Sequence, residues 1–294
     1  MWIDGVFSGG GVKGFAFVGA LEVIEKAGFR FRRVAGTSAG SIIAALLAAG
    51  YTSEEIHYHM ENMHPDIFLD KKSFFRFPFF KWLTLYWKMG LFKGNVLEKW
   101  MKDLLYDKGV ESFSDLGTDT LKIIASDLSR GSLVVIPDDL VHYGIDPDKF
   151  SVARAVRMSC GLPFFYEPIT LYNQKGEKCL IVDGGVLSNF PLFVFDTQNN
   201  LPVRPFLGFQ LSGQSEMFTA KKIKNAVDLF HRLFLTMKEA HDAKYISKYA
   251  ASNIIFIPVD KVHTADFKLT KEDRDELVNI GRKRAEKFLK KWTY

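Results

Sequence analysis

A serine between two glycines marks the first position in the sequence that could carry out chemistry. Residues 36–40 read Gly-Thr-Ser-Ala-Gly, which is the G-x-S-x-G spacing of a nucleophile elbow with Ser38 at its centre. The glycines leave room for a tight turn that lifts the serine hydroxyl off a sheet and onto a helix N-terminus, where developing negative charge is favoured. The pattern alone is equally compatible with an ordinary turn in which Thr37 or Ser38 caps the helix.

A run of glycines near the start of the chain is the second such feature. Residues 9–14 read Gly-Gly-Gly-Val-Lys-Gly and follow a short apolar stretch. Consecutive glycines let the backbone present several N–H groups to an anion, which could be the oxyanion of an acyl intermediate or a phosphate. Lys13 lies in the first turn of the helix expected here, where it either helps to hold a negative group or is a solvated surface lysine.

The same glycines also satisfy the dinucleotide fingerprint G-x-G-x-x-G, at Gly9, Gly11 and Gly14. The basic stretch Arg-Phe-Arg-Arg at residues 30–33 follows about 20 residues later, where the binder of a 2′-phosphate would lie. An NADP-binding module is therefore the alternative from a different functional class. Against it, the next strand leads directly into the serine turn, which a dinucleotide site does not need.

An acidic residue before two glycines is the third feature. Asp183 ends the apolar run 180–182 and is followed by Gly184 and Gly185. An acid at the end of a strand, beside two glycines, can approach another loop closely and act as a general base. The alternative interpretation is a common Asp-Gly turn.

Histidine does not complete a triad convincingly. His231, His241 and His263 follow Asp183 in the order that an α/β-hydrolase requires, but His231 and His241 fall inside a predicted long helix, whereas triad histidines are normally on loops. That fold also places its serine turn after several strands, whereas only two strands precede it here. No cluster of metal-ligating residues stands out, so neither a metal nor a cofactor is expected.

The elements that would position these residues alternate between strand and helix. Apolar runs predict strands at residues 2–8 and 31–35 and helices at 12–27 and 39–49, a spacing that indicates a parallel sheet with helices on its faces. Further strands are predicted at 121–126, 133–136, 180–183, 205–211 and 254–259, and further helices at 95–106, 152–159, 221–249 and 271–292. Gly28 is expected to stop the first helix, Asn95 to cap another, and Thr270 with Asp273 to form a capping box.

Residues 63–93 break this regularity, because aromatic residues alternate there with lysine and arginine. We expect an inserted cap at about residues 63–110 that covers the site and could dock on an anionic membrane through aromatic tips and lysines. The alternative is a cap whose aromatics pack against the body. The basic end of the last helix is interpreted as a packed terminal helix, with a second lipid contact as the alternative.

Composition excludes several classes of protein. The chain has 294 residues, 47% hydrophobic and 25% charged, which is typical of a folded globular protein. Two cysteines exclude a disulfide scaffold or a thiolate zinc cluster. The longest apolar run, near residues 42–49, is far below the roughly 18–20 residues of a membrane span. With no signal-peptide pattern, a cytoplasmic protein is expected, with a peripheral position at the inner membrane surface as an option.

The net charge of +5 favours acidic partners only weakly, and no recognised nucleic-acid module is present, so no nucleic-acid partner is expected. The oligomeric state is not readable from the sequence.

Taken together, the motifs resemble the patatin-like phospholipase family. Four blocks match in the family's order: the glycine-rich loop at 9–14, the elbow at 36–40, a Ser-x-x-x-Pro stretch at 159–163 and Asp-Gly-Gly at 183–185. The similarity spans about residues 3–211. Methionine at 158, where the family often has alanine, is a mild departure.

The resemblance implies a single catalytic domain over residues 1–294, with a three-layer α/β/α fold, a mostly parallel central sheet, the aromatic-rich inserted cap and a C-terminal helical extension at about 265–294. It also implies a serine lipid acyl hydrolase that uses a Ser-Asp dyad without histidine on an acyl-lipid substrate. Acyl transfer to an acceptor other than water would use the same site, and a catalytically silent lipid binder is a further alternative.

The site residues that follow from the resemblance fall into three groups. They are Ser38 and Asp183 as the dyad, Gly9, Gly10, Gly11 and Val12 as the oxyanion hole, and Lys13, Gly14, Gly36, Gly40, Gly184 and Gly185 as residues that support the motifs.

Overall fold

The chain forms an α/β fold around a mostly parallel sheet, as the sequence predicts. The structure is a computed structural model, and it describes residues 1–63, 68, 85–195, 204–211, 223, 236, 251–259 and 269–292. The strands in these residues are β1 (Trp2–Phe7), β2 (Arg30–Thr37), β3 (Gly90–Phe92), β4 (Leu121–Asp127), β5 (Ser132–Ile136), β6 (Phe164–Tyr166), β7 (Ile169–Tyr172), β8 (Lys178–Asp183), β9 (Phe206–Leu211) and β10 (Ile254–Ile257).

The main sheet has the strand order β10-β9-β1-β2-β4-β8-β7, with β5 also paired to β4. The strands from β10 to β4 are mutually parallel, so their carboxyl ends meet at one edge, where the glycine-rich loop and the serine turn both begin. β8 runs antiparallel to β4. Thr37 lies opposite Ile124 and Asp183 lies opposite Ala125, so β4 carries the serine turn on one side and the acid on the other.

The α-helices with eight or more described residues are α1 (Phe15–Lys26), α2 (Ala39–Ala48), α3 (Ser53–Asn62), α4 (Asn95–Asp107), α5 (Val152–Ser159) and α6 (Lys271–Leu289). A 3-10 turn, Gly11–Gly14, precedes α1. Gly28 follows α1 with a φ of 87°, so the predicted glycine stop is confirmed. Thr270 and Asp273 form the predicted capping box at the start of α6.

The two faces of β1 pack in different apolar clusters. Ile3 and Phe7 are fully buried in the main core together with residues of the helices, whereas Val6 joins a smaller cluster with Phe190 and Leu192. The helix predicted at 221–249, which would contribute to the third layer, falls almost entirely outside the described residues.

Several elements differ from the sequence prediction. β3 and β6, which pair with each other as a small parallel sheet, and β7 were not predicted, because runs of three or four residues carry too little periodicity. The prediction of Asn95 as an N-cap was wrong: Gly94 caps α4 in a left-handed conformation with no side-chain cap. Of the predicted cap at about residues 63–110, residues 64–67 and 69–84 lie outside the described residues, so its role as a cover over the site stays a prediction.

The C-terminal helix is part of the main core rather than an appendage. α6 crosses α1 so closely that a Cβ added to Gly19 would lie 1.9 Å from the carbonyl oxygen of Val278. A Cβ added to Gly281 would lie 1.8 Å from the carbonyl oxygen of Ala16. Only glycine permits this approach of the two backbones.

None of the helices in the described part of the chain combines the length and the apolar character that crossing a membrane requires.

We predict that Gly281→Ala destabilises the protein by about 3 kcal/mol, the upper end of the usual cost of overpacking, because the added methyl meets backbone atoms that cannot rotate away. Urea unfolding followed by circular dichroism measures the change. Lys283→Ala, at an exposed position of the same helix, is the matched control and should leave stability within about 0.5 kcal/mol. Equal stability of the two variants would contradict the close crossing.

Candidate active site

Ser38 occupies a strained turn between β2 and α2. Its φ of 52° and ψ of −124° place a non-glycine residue in a region that costs of order 1–3 kcal/mol. Only glycine fits on either side of this turn, because a larger residue would clash with the backbone. A Cβ on Gly36 would lie 2.2 Å from the carbonyl oxygen of Gly40, and a Cβ on Gly40 would lie 2.3 Å from the carbonyl oxygen of Phe7. The turn therefore has the geometry predicted for a nucleophile elbow.

The structure brings Ser38 and Asp183 together across 145 residues of sequence. Ser38 Oγ donates a hydrogen bond to Asp183 Oδ2 at 2.8 Å. The other carboxylate oxygen, Oδ1, accepts from the backbone N–H of Gly185 at 2.7 Å, which fixes the orientation of the carboxylate. Asp183 is only 4% exposed. A carboxylate held in this way is aimed at the serine proton with little freedom to rotate.

Ser159 holds the backbone of the serine turn. Its hydroxyl accepts a hydrogen bond from the N–H of Ser38 at 2.8 Å and donates to the carbonyl oxygen of Ile124 at 2.6 Å. The nucleophile is thereby tied to β4, the strand that also pairs with β8 at Asp183. The sequence singled out Ser159 through the Ser-x-x-x-Pro motif but assigned it no role.

The glycine-rich loop divides into two parts. The N–H of Gly9 donates to the carbonyl oxygen of Asn189 at 2.9 Å, so it is used within the fold and is not a free oxyanion donor, contrary to prediction. A Cβ on Gly9 would lie 2.4 Å from Oδ1 of Asn189 and 3.2 Å from Cβ of Ser38, which explains the glycine. Within the described residues, the N–H groups of Gly10 and Gly11 donate to no backbone or side-chain acceptor. Gly11 and Val12 line the same cavity as the dyad.

An apolar cavity of about 100 Å³ opens beside the dyad. Its walls come from α1, α2, α3, α4 and the segment around β6, and Ser38 and Asp183 are among the few polar groups that line it. Representative wall residues are Phe15, Ile43, Met60, Phe68, Leu97 and Phe165. A cavity with one reactive pair and apolar walls suits a hydrocarbon chain joined to a group that the serine can attack.

A buried arginine supports one wall from behind. Arg157, 1% exposed, donates through Nη2 to the carbonyl oxygens of Lys93 at 2.6 Å and Glu167 at 2.9 Å. Its guanidinium lies 4.8 Å from the ring centroid of Tyr166, a wall residue. A Cβ on Gly94 would lie 2.1 Å from Arg157 Nε, which explains the glycine at the start of α4. The sequence signal for this role is that Arg157 lies among apolar residues in the helix predicted at 152–159.

Of the residues predicted to support the motifs, all but Gly14 lie outside the cavity lining. Lys13 is in the 3-10 turn but does not line the cavity. Gly184 and Gly185 lie directly after β8, and a Cβ on Gly184 would lie 2.3 Å from the carbonyl oxygen of Ile124. Gly14 lines the cavity, and a Cβ added to it would lie 3.1 Å from the Cβ of Ala39.

The histidines within the described residues have partners elsewhere. His57 Nδ1 lies 2.7 Å from Glu22, His59 contacts Tyr51, and His142 lies 3.8 Å from Asp139. His64, His231, His241 and His263 lie outside the described residues. In the described part of the chain, no group of three His, Cys, Asp or Glu side chains comes together as a metal site.

The basic stretch at 30–33 does not suit the NADP alternative. It occupies the amino end of β2, whereas the glycine-rich loop lies at the carboxyl ends of the strands. Arg33 is engaged with the buried Asp4 through an Nε–Oδ2 hydrogen bond of 3.0 Å. The position after β2 where a dinucleotide-binding fold reads the ribose is taken here by the serine turn.

One family model and several known proteins are similar to this chain. The family model described as Patatin-like phospholipase matches residues 5–196. The uncharacterized protein YqhO of Bacillus subtilis is 52% identical over 295 residues and covers 100% of both chains. The cUMP-AMP-activated phospholipase of Escherichia coli is 28% identical over 194 residues, which are 62% of this chain and 54% of that protein. The crystal structure of VipD from Legionella pneumophila has a similar fold, with a TM-score of 0.58 and 17% identity over 99% of this chain and 67% of VipD.

We predict that the cavity-lining thiol of Cys160 is inert near neutral pH. Burial, and secondarily the charge of Asp183, raises the pKa of Cys160 to about 12. At pH 8 the reactive thiolate is then about a thousandfold scarcer than for an ordinary cysteine, so iodoacetamide should modify the native residue correspondingly slowly. Peptide mass spectrometry gives the rate, with the urea-unfolded protein as reference. The rate should climb about tenfold per pH unit through pH 9, and a plateau there would contradict the prediction.

Proposed function

The chain belongs to the patatin-like phospholipase family, and from this premise we propose that it is a serine lipid acyl hydrolase that cleaves carboxylic ester bonds of phospholipids or related acyl lipids. Family membership and similarity to a named phospholipase support lipid hydrolysis as the class of reaction. The observation that carries the proposal is the 2.8 Å hydrogen bond from Ser38 Oγ to Asp183 Oδ2 at the wall of an apolar cavity.

In the first half of the reaction, Ser38 Oγ attacks the ester carbonyl carbon while its proton passes to Asp183. The carbonyl oxygen becomes an oxyanion, and the N–H groups of Gly10, Gly11 and Val12, at the start of the 3-10 turn, are the candidate donors. Collapse of the tetrahedral intermediate breaks the ester C–O bond. The departing alkoxide takes the proton from Asp183 and leaves as an alcohol, and Ser38 carries the acyl group.

In the second half, Asp183 removes a proton from water, and the resulting hydroxide attacks the acyl carbon. The second tetrahedral intermediate releases the fatty acid, and Ser38 recovers its proton from Asp183. An acceptor alcohol in place of water would give acyl transfer. Product analysis with and without an added acceptor lipid separates these two outcomes.

We also propose a peripheral membrane contact beside the cavity. Tyr86 and Trp87 are 75% and 72% exposed, and they lie shortly before β3, which pairs with β6 of the cavity wall. Phe164, at the start of β6, is 50% exposed. Exposed aromatic residues with a neighbouring Lys88 suit the interface of an anionic bilayer.

The basic end of α6 does not belong to this proposed surface. Trp292 packs on Phe29, which precedes β2, and donates to Asn253, which precedes β10. The basic end therefore lies at the amino ends of the strands, whereas Ser38 lies at the carboxyl end of β2. A membrane bound by Lys287 and Lys291 would not face the cavity.

We predict that a fluorophosphonate labels Ser38 in the wild-type protein and that Ser38→Ala abolishes the adduct. Asp183→Asn keeps an oxygen that can accept from Gly185 but loses the base, so labelling and ester hydrolysis should fall by about 10²–10⁴. Mass spectrometry locates the adduct, and circular dichroism verifies folding.

Ser132→Ala and Asp146→Asn are the matched controls for these changes, since both alter the same residue types on other parts of the fold. Wild-type turnover by Ser38→Ala would refute the dyad. NADP binding to a chain that the probe never labels would favour the nucleotide-binding alternative.

We predict that Trp87→Ala weakens binding to vesicles rich in anionic lipid by about tenfold, as measured by sedimentation. The variant no longer has an exposed indole that the membrane interface can bury. Trp2→Ala is the matched control: Trp2 is 57% exposed at the opposite end of β1 from the glycine-rich loop, and its replacement should leave binding unchanged. Equal effects of the two changes, or no vesicle binding by the wild type, would remove the membrane contact from the proposal.

A further inference from the structure

The C-terminal helix reaches the cavity through one buried arginine. Arg274 of α6 is 8% exposed, and its Nη1 donates to the carbonyl oxygens of Glu61 and Met63, at 2.9 Å each. These carbonyls belong to the last turn of α3 and to the residue that ends it. Helix C-termini leave carbonyl groups without intrahelical partners and favour a nearby cation, so Arg274 caps α3 from another helix.

The same guanidinium also contacts the start of α1. Its central carbon lies 5.8 Å from the ring centroid of Phe15, within the range of a cation–π contact. Nε is buried without a hydrogen-bond partner in the described residues. A buried, incompletely paired guanidinium carries a desolvation cost, which the two carbonyl bonds and the ring contact have to offset.

Three residues that Arg274 contacts, or whose backbone it helps to hold, line the cavity. Phe15 lies under the guanidinium, and Met60 and Met63 lie at the end of α3 whose carbonyls Arg274 holds. Methionine side chains are flexible and adapt their shape, so the position of a methionine wall depends mainly on the backbone that carries it. Arg274 holds that backbone.

α6 is itself anchored to α1 and α3 by further contacts. Gly281 packs against the backbone of α1, and Arg282 Nε donates to Glu22 at 3.1 Å. Lys271 at the start of α6 pairs with Glu61 at 2.9 Å. The helix lies beyond residues 5–196 that match the family model.

We propose that Arg274 is a positioning residue that fixes the α3 wall of the acyl cavity and thereby sets the preference of the site for long over short acyl chains. The proposal rests on the proposed lipid acyl function of the cavity. The dyad and Ser159 are held by contacts among β2, β4, β8 and α5, and Gly9 of the glycine-rich loop is held by Asn189. None of these hydrogen bonds involves α3 or α6. Loss of Arg274 should therefore change the binding of long chains and leave the reacting groups in place.

The test measures binding of fatty acids to the full-length protein, so that it does not depend on turnover. Hexadecanoate and octanoate each displace the fluorescent fatty acid parinaric acid from the wild type and from Arg274→Met. We expect the affinity of the variant for hexadecanoate to fall about tenfold, the equivalent of losing wall contact over about two methylene groups, and that for octanoate to fall less than about twofold. Arg274→Lys should recover part of the difference, because a single ammonium keeps the charge but not the planar fork.

Two arginines of the same helix provide matched controls. Arg282→Met weakens the attachment of α6 at Glu22, and Arg284→Met removes an exposed arginine. Neither should alter the ratio of the two affinities. An equal shift of that ratio in Arg282→Met, an equal loss of both ligands in Arg274→Met, or no fatty-acid binding by the wild type would overturn the proposal.

Failure of the proposed hydrolase would give a different result. A protein that binds fatty acids with the expected dependence on Arg274 but is neither labelled at Ser38 nor active on esters would refute the hydrolase and support the role of Arg274. If Arg274→Met does not fold, Arg274→Lys decides: an affinity ratio equal to that of the wild type would overturn the proposal.

Discussion

A serine can give its proton directly to a carboxylate only when their oxygens are within hydrogen-bond distance, because no side chain lies between them to relay it. The 2.8 Å contact of Ser38 with Asp183 meets this condition with two short side chains, so the backbones must approach closely. Glycines at 36, 40 and 184 permit that approach, since a Cβ at any of them would meet a carbonyl oxygen within 2.3 Å. The strained φ of Ser38 is held by surrounding contacts, chiefly the hydroxyl of Ser159 on its N–H.

The apolar walls of the cavity are positioned by polar side chains that lie behind them and do not line the cavity. A hydrocarbon chain offers no hydrogen bonds, so the walls that contact it are apolar, and their placement depends on the backbone behind them. Two buried arginines bind backbone carbonyls behind the walls. Arg157 binds those of Lys93 and Glu167 beside β3 and β6, and Arg274 binds those at the end of α3. Both link segments that are distant in sequence, and both arginines are more costly to bury than an apolar residue.

Much of the fold could be predicted because its signals are local. The strands β1 and β2, the helices α1 and α2 and the capping box of α6 all follow from periodicity, glycine stops and cap residues within a few positions. β3 and β6 could not be found this way, since three residues have no period and their pairing depends on a distant partner. At α4, Gly94 rather than Asn95 is the cap residue, and the space where a side chain at 94 would lie is filled by Arg157, more than sixty residues away in sequence.

The sequence by itself determined the chemical types at the site: the serine in its glycine turn, the acid before two glycines and the glycine-rich loop are short motifs whose local geometry follows from residue type. Only the tertiary structure decided which of these groups meet. The parallel pairing of β2 with β4 and the antiparallel pairing of β8 placed Ser38 beside Asp183, Asn189 took the N–H of Gly9, and α6 brought Arg274 to α3. Such contacts join residues far apart in the chain, and their formation depends on packing and register, which no local pattern encodes.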